Sequence, residues 1–171
     1  MKKNNIKMLS MDLSLNLPAF CVAEIKDGVF TVLEVSHVDN KKDKNLTTAE
    51  KLGRIYDHLK DIFQKHEKFD IVVREKGFSR FANTTQLLFR VVGVSDLIAF
   101  VEAGLKEVEE IPPTTIKTVV AGYSRADKQE VEEGVRELLQ EHQKNMEFYS
   151  DDESDAVAVA LTCAIRKGLL N

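Results

Sequence analysis

Ser150-Asp151-Asp152-Glu153-Ser154-Asp155-Ala156-Val157-Ala158-Val159-Ala160-Leu161 is the stretch from which the rest of this chain can be read. It has the form of a helix start, because Ser150 and Glu153 stand at capping-box spacing and acids favour the positive end of a helix. The run from Ala156 onward is apolar on every side, so the spacing predicts a buried helix rather than a surface one. Asp152 and Asp155 share one face of its first turn. A cap accounts for Ser150 and Glu153 and is worth about 1 kcal/mol. It does not account for Asp155, a further carboxylate inside the helix beside alanine and valine. Two carboxylates driven toward a core repel unless something positive lies between them, and a divalent cation is the usual answer.

Two more acids occupy comparable positions upstream. Ile6 to Asp12 is a short apolar run ending at Asp12, and Phe69 to Glu75 is a β-branched run ending at Glu75. Both read as buried strands with an acid at the C-terminal end. Between them lie two strand-like runs, Ala19–Ile25 and Val29–Val35, separated by Lys26-Asp27-Gly28, whose Asp-Gly is a hairpin signal. A polar loop over 40–45 leads to Thr47 and Glu50, a second capping box, and then to Leu52, Ile55, Leu59, Ile62 and Phe63 at helical spacing. The predicted fold is α/β: a mixed sheet of about five strands flanked by helices, in one domain spanning 1–171. A helix over 83–103 carries more apolar positions than one stripe needs, so one side is assigned to the sheet and the other to a dimer face. A short strand over 108–111 precedes Pro112-Pro113. Helices are expected over 114–121 and from Asp127 to about Lys144, with a turn at Tyr123-Ser124-Arg125-Ala126 between them.

Bulk properties narrow the function classes. With 171 residues, 43% hydrophobic, 30% charged and a net charge of −4, the chain has the make-up of a globular protein and lacks a global basic field. Nucleic-acid contacts, if made, must come from local Lys and Arg clusters. Cys21 and Cys163 stand far apart in apolar contexts, which suits buried thiols in a reducing, cytoplasmic compartment. Met1-Lys2-Lys3 is not expected to open a signal peptide, since Asp12 and Asn16 would interrupt its apolar region and Lys7 sits too close, and no apolar run is expected to reach the roughly 20 residues of a membrane span. His37, His58, His66 and His142 fall on predicted surface segments and read as solvated.

The carboxylates make a set. In open α/β sheets, sites form beyond the C-terminal ends of parallel strands, where Asp12, Glu75, Asp152 and Asp155 could meet. Oxygen-only ligands suit Mg²⁺ or Mn²⁺, and no His or Cys cluster suggests zinc. Two such cations about 4 Å apart are the recurrent device for phosphodiester hydrolysis. Each acid also has a plainer reading, Asp12 as a turn residue and Glu75 as the partner of Arg74 or Lys76 in a surface ion pair.

The order strand–Asp, strand–Glu, then Asp-x-x-Asp-Ala resembles the RuvC-type Holliday-junction resolvases of the ribonuclease-H-like superfamily, over about Ile6 to Ile165. Glu75-Lys76-Gly77-Phe78 resembles that family's Glu-x-x-Phe. Ile111-Pro112-Pro113 through Ile116-Lys117, then Gly122-Tyr123-Ser124-Arg125-Ala126-Asp127-Lys128, resembles its Pro…Val-Lys…Gly-x-Gly-x-Ala-x-Lys segment. Departures occur at Ser10-Met11-Asp12-Leu13-Ser14, which lacks the two glycines usual around the first acid, and at Ser124, which replaces the second glycine of the basic loop. The divergence is similar to that of phage-encoded members, acting in a bacterial or phage-infected cytoplasm. The resemblance implies a structure-selective DNA endonuclease that is homodimeric, dispenses with small-molecule cofactors and opens four-way junctions by paired nicks, leaving 5′-phosphate and 3′-hydroxyl ends. It implies Asp12, Glu75, Asp152 and Asp155 as ligands of two Mg²⁺ (or Mn²⁺), Lys117 and Lys128 as charge-neutralising groups, and Phe78 as a residue that stacks on unpaired bases. Lys76, Arg74, Arg80, Arg125 and Tyr123 are its candidate DNA contacts. Alternatives are a broader branched-DNA or RNA-processing nuclease of the same superfamily, and a junction-binding scaffold whose acids are only caps.

Overall fold

A computed structural model describes residues 5–77 and 81–171. A five-stranded mixed sheet forms its centre, in the spatial order β3-β2-β1-β4-β5. β1 (Asn5–Asp12), β2 (Ala19–Lys26) and β3 (Val29–His37) form an antiparallel meander, while β4 (Ile71–Glu75) pairs in parallel with β1 and β5 (Glu109–Ile111) in parallel with β4. The β2–β3 hairpin turns through Asp27 (φ 53°) and Gly28 (φ 80°), the two left-handed residues that a tight hairpin needs.

Five α-helices cover the two faces. On one lie α1 (Thr48–His66) and α2 (Ala82–Ala103), and on the other α3 (Pro113–Ala121), α4 (Lys128–Leu138) and α5 (Asp151–Arg166). α1 starts with a complete capping box: Thr47 Oγ1 accepts from Glu50 N, and Glu50 Oε2 accepts from Thr47 N. α3 begins with Pro113, where the missing N–H is harmless, and ends at Gly122 (φ 87°). α5 is the central helix, with every residue from Ala156 to Ala164 buried. Cys21 and Cys163 are buried free thiols.

Four expectations need correction. The helix expected over 127–144 stops at Leu138, and a separate 3₁₀ turn, Glu141–Gln143, comes after it. The side-chain amide of Gln143 there bonds both the N–H and the C=O of Val32 on the sheet's edge strand, an anchorage a continuous helix would forgo. At α5, Ser150 makes no side-chain cap; Glu153 instead accepts from the N–H of Tyr149, one residue further back. Three of the four histidines are bonded rather than merely solvated: His37 to Glu153, His58 to Ser36 and His66 to Glu34. Finally, α2 does reach the length and apolarity of a membrane span. A single helix of that kind is weak ground for a span, and α2 packs on α1 while its Asp96 pairs with Arg74 of the sheet.

Candidate metal-dependent active site

One row of residues crosses the sheet where its parallel strands end. His37 stands opposite Ala19, Ala19 opposite Asp12, and Glu75 opposite Ile111. The β1–β4 register runs as far as Met11 opposite Arg74, and its next step brings Asp12 beside Glu75. Ala19 and Ile111 belong to the core under α5, so the row faces that helix. Ser10, two residues before Asp12 and on the same face, donates its hydroxyl to the Ala156 carbonyl at 2.7 Å. That buried bond seats the start of α5 over the end of β1.

The seating brings three acids together. Asp12, Asp152 and Asp155 each offer an oxygen, and these oxygens all lie within 4.8 Å of one another. Their charges are poorly compensated. Burial first, and then the carboxylates of Glu75, Asp155 and Asp152, hold the Asp12 carboxyl well above the usual range, against the pull of Lys128. Burial and then Asp155 push Glu75 up to about 7, opposed by Lys117 and Lys128. Asp155 rises to about 6 through burial; Lys128 opposes this, and Asp152 and Asp151 add to it. Glu75 lies outside the 4.8 Å group but is coupled to it through these charges.

Two lysines border the acids. Lys128, the first residue of α4, lies 3.5 Å from Asp151 Oδ2. Burial alone would lower its pKa, and the neighbouring Asp155, Asp152 and Asp151 more than reverse that. Lys117 on α3 donates to the Ala126 carbonyl at 2.6 Å and so ties down the turn that carries Tyr123 and Arg125. The donor set is three carboxylates with a fourth nearby, without a thiolate or imidazole. It fits a hard divalent cation, whose charge would relieve the repulsion.

Of the predicted DNA contacts, Lys76, Tyr123 and Arg125 are exposed, and the Glu130 carboxylate, by bonding the Tyr123 phenol, pushes its pKa up to about 12. Phe78 and Arg80 lie outside the described residues. Arg74 is a correction. It is 5% exposed, and its guanidinium is bonded to Ser95, Asp96 and Glu110 on the sheet face opposite Glu75. With those donors engaged it is a structural cation, not a phosphate contact. Sequence reading also missed Ser10, His37 and Tyr149, whose partners lie far along the chain. Only Ser10 left a signal, by standing where the resembled family carries glycine.

Comparison with known proteins identifies the family of the chain. The family described as crossover junction endodeoxyribonuclease RuvC matches residues 8–163. The RuvC of Heliobacterium modesticaldum is 31% identical over 159 residues, covering 92% of this chain and 93% of that protein. That of Alkaliphilus metalliredigens is 25% identical over 154 residues, covering 90% of each. Among solved structures, Thermus thermophilus RuvC in complex with a Holliday junction substrate superposes with a TM-score of 0.80 at 25% identity, covering 96% of this chain and 97% of that one. This chain belongs to the RuvC family of crossover junction endodeoxyribonucleases.

Proposed function

We propose that the chain resolves four-way DNA junctions by hydrolysing one phosphodiester bond in each of two opposed strands. The observation that carries this is the mutually repelling group of Asp12, Asp152 and Asp155, set at the sheet's C-terminal edge in a chain of this family. Asp12, Asp152 and Asp155, with Glu75 beside Asp12, hold the Mg²⁺ or Mn²⁺ ions, up to two per site. Bound there, the cations supply Lewis acidity and balance the negative charge that develops on the phosphate. Lys128 places a further positive charge at the same edge. Lys117 acts through the Ala126 carbonyl, keeping Tyr123 and Arg125 turned outward to the nucleic acid. Water attacks the phosphate in line, so the 5′-phosphate stays on one fragment and the 3′-hydroxyl on the other. Lys76, Arg125 and Tyr123 contact the DNA, and Phe78 and Arg80, outside the described residues, are assigned the same role.

Paired nicks require two sites, and α2 offers the surface for a second copy. Phe89, Leu97, Phe100 and Val101 are each more than half exposed, an apolar group larger than isolated surface residues account for. Buried Cys21 and Cys163, both unpaired, fit work in a reducing cytoplasm.

The test is cleavage of a synthetic, immobile four-way junction in Mg²⁺ by the wild type and by Asp12→Asn. Paired symmetric nicks from the wild type alone, with the variant still binding the junction, support the reading. Equal cleavage of flaps, forks or RNA hybrids would shift it to a broader nuclease of the same fold. Binding without nicks by either protein would leave a scaffold.

A further inference from the structure

Asp12, Asp152 and Asp155 gather like charges between the first turn of α5 and the sheet, and that turn lacks the side-chain cap helices ordinarily use. Ser150 makes no side-chain cap, and its hydroxyl is buried without a protein partner. Glu153, which comes directly after Asp152 and is 6% exposed, takes over that restraint. One of its carboxylate oxygens accepts from the Tyr149 N–H at 2.7 Å, and the other accepts from His37 Nδ1 at 2.7 Å. His37 is at the end of β3, in the same row as Asp12 and two strands away. The row spacing puts the two backbones roughly 10 Å apart. Successive residues of a helix turn by about 100°, so Glu153 reaches β3 while Asp152 and Asp155 keep their shared face toward Asp12.

The surroundings stiffen this contact. The Tyr149 ring stacks on the His37 imidazole, with centroids 4.1 Å apart and planes 15° from parallel, and its phenol bonds Asp39 at 3.2 Å. Two ties therefore hold the start of α5 to the sheet without a cation, Ser10 to the Ala156 carbonyl at β1 and His37 to Glu153 at β3, while the acids at Asp12 are joined only by whatever bridges them. Of the two, the His37 tie is the one that reaches the first turn, where Asp152 stands.

We infer that the His37–Glu153 hydrogen bond is a cation-independent clasp that holds Asp152 and Asp155 in register with Asp12, so that the site is organised before a divalent cation arrives. His37 is then a positioning residue for cation binding. The inference rests on reading the three acids as a cation site. A simple helix cap would affect folding and leave cation affinity alone.

The experiment is a titration of the full chain with Mn²⁺, without DNA, followed by calorimetry or electron paramagnetic resonance, with melting temperatures measured in parallel. His37→Ala should weaken Mn²⁺ binding about tenfold, the lower end for residues that orient metal ligands. His37→Asn, whose amide N–H₂ can stand where Nδ1–H stood, should recover most of that loss. Where His37→Ala does not fold, Glu153→Gln takes its place and should also bind Mn²⁺ more weakly. Equal Mn²⁺ affinity in the wild type and the folded variant overturns the clasp, whatever the melting temperatures do. Equal weakening by the alanine and asparagine substitutions overturns it too, since the hydrogen bond would then not be what positions the acids. A wild type that binds no Mn²⁺ fails differently, removing the cation site itself.

Discussion

Arg74 and Glu75 are neighbours on one short strand, and the chain treats their charges in opposite ways. Arg74 points to the α1–α2 face, where Ser95, Asp96 and Glu110 engage its guanidinium. Glu75 points to the α5 face, where burial and then Asp155, against Lys117 and Lys128, raise its pKa to about 7. A buried charge with partners is structure. A buried charge left among its own kind stores free energy, and that free energy is released only when something positive binds. The two faces of this sheet therefore differ: one is electrostatically closed, and the other is the face that the proposed function completes with a cation.

The contrast can be broken from either side. The largest effect is expected on the open face, where Asp12→Asn removes one of the proposed cation ligands. Losing several kcal/mol of charge stabilisation should reduce junction cleavage on the order of a thousandfold, measured in single-turnover assays, with junction binding retained. On the closed face, Arg74→Met should lower stability by about 2 kcal/mol, because Asp96 and Glu110 are partly solvated and tolerate the loss of their partner better than fully buried acids would. Denaturant unfolding checks this, and cleavage per folded molecule should change little. A large loss of cleavage with stability intact would return Arg74 to the DNA interface.

Asp155→Asn sharpens the comparison, since here removing a charge should stabilise. The carboxyl rises from 3.8 to about 6 on folding, so the folded state binds its proton more tightly than the unfolded state does. Metal-free stability from this group is therefore highest below about pH 4 and is lost as pH rises through about 6, and Glu75 extends that loss toward pH 7. At pH 8 without metal, Asp155→Asn should be more stable by on the order of 1–3 kcal/mol, read as a melting temperature a few degrees higher. A drop would mark Asp155 as a structural residue. The smallest effect on stability is expected for Lys128→Ala. Its pair with Asp151 is more than half exposed on both sides, so unfolding should shift by less than about 0.5 kcal/mol while cleavage falls.

The features legible in the sequence were those written locally. The Asp27-Gly28 hairpin, the Thr47–Glu50 box, the strands ending at Asp12 and Glu75, and the acidic start of α5 all depend on residues a few positions apart. Arg74 was misread because its partners come from α2 and β5, and a five-residue strand gives too short an alternation to show which face is closed. His37 and Glu153 are 116 positions apart, so neither advertises the other. α4 stops early because Gln143 finds a better use on β3, a tertiary contact that overrides local helical pattern. The burial of α5 was legible in the apolar run that follows its acids, but α2 shows the remaining limit: long and apolar, it buries only Val91, Ser95, Ile98 and Ala99. Apolar content reports what a helix could bury, and only the fold decides which helix does.

The most direct test of a cation-completed acid group is thermal unfolding of the wild type at pH 8 and pH 5, each with and without Mn²⁺. The metal-free melting temperature should be lower at pH 8 than at pH 5. Adding Mn²⁺ at pH 8 should raise it, by about 2.7 kcal/mol in stability when the ion is at a hundred times its dissociation constant, and that rise should be lost in Asp12→Asn. A melting temperature that ignores both pH and Mn²⁺ would mean that these acids are not held in mutual repulsion and that no cation completes the site.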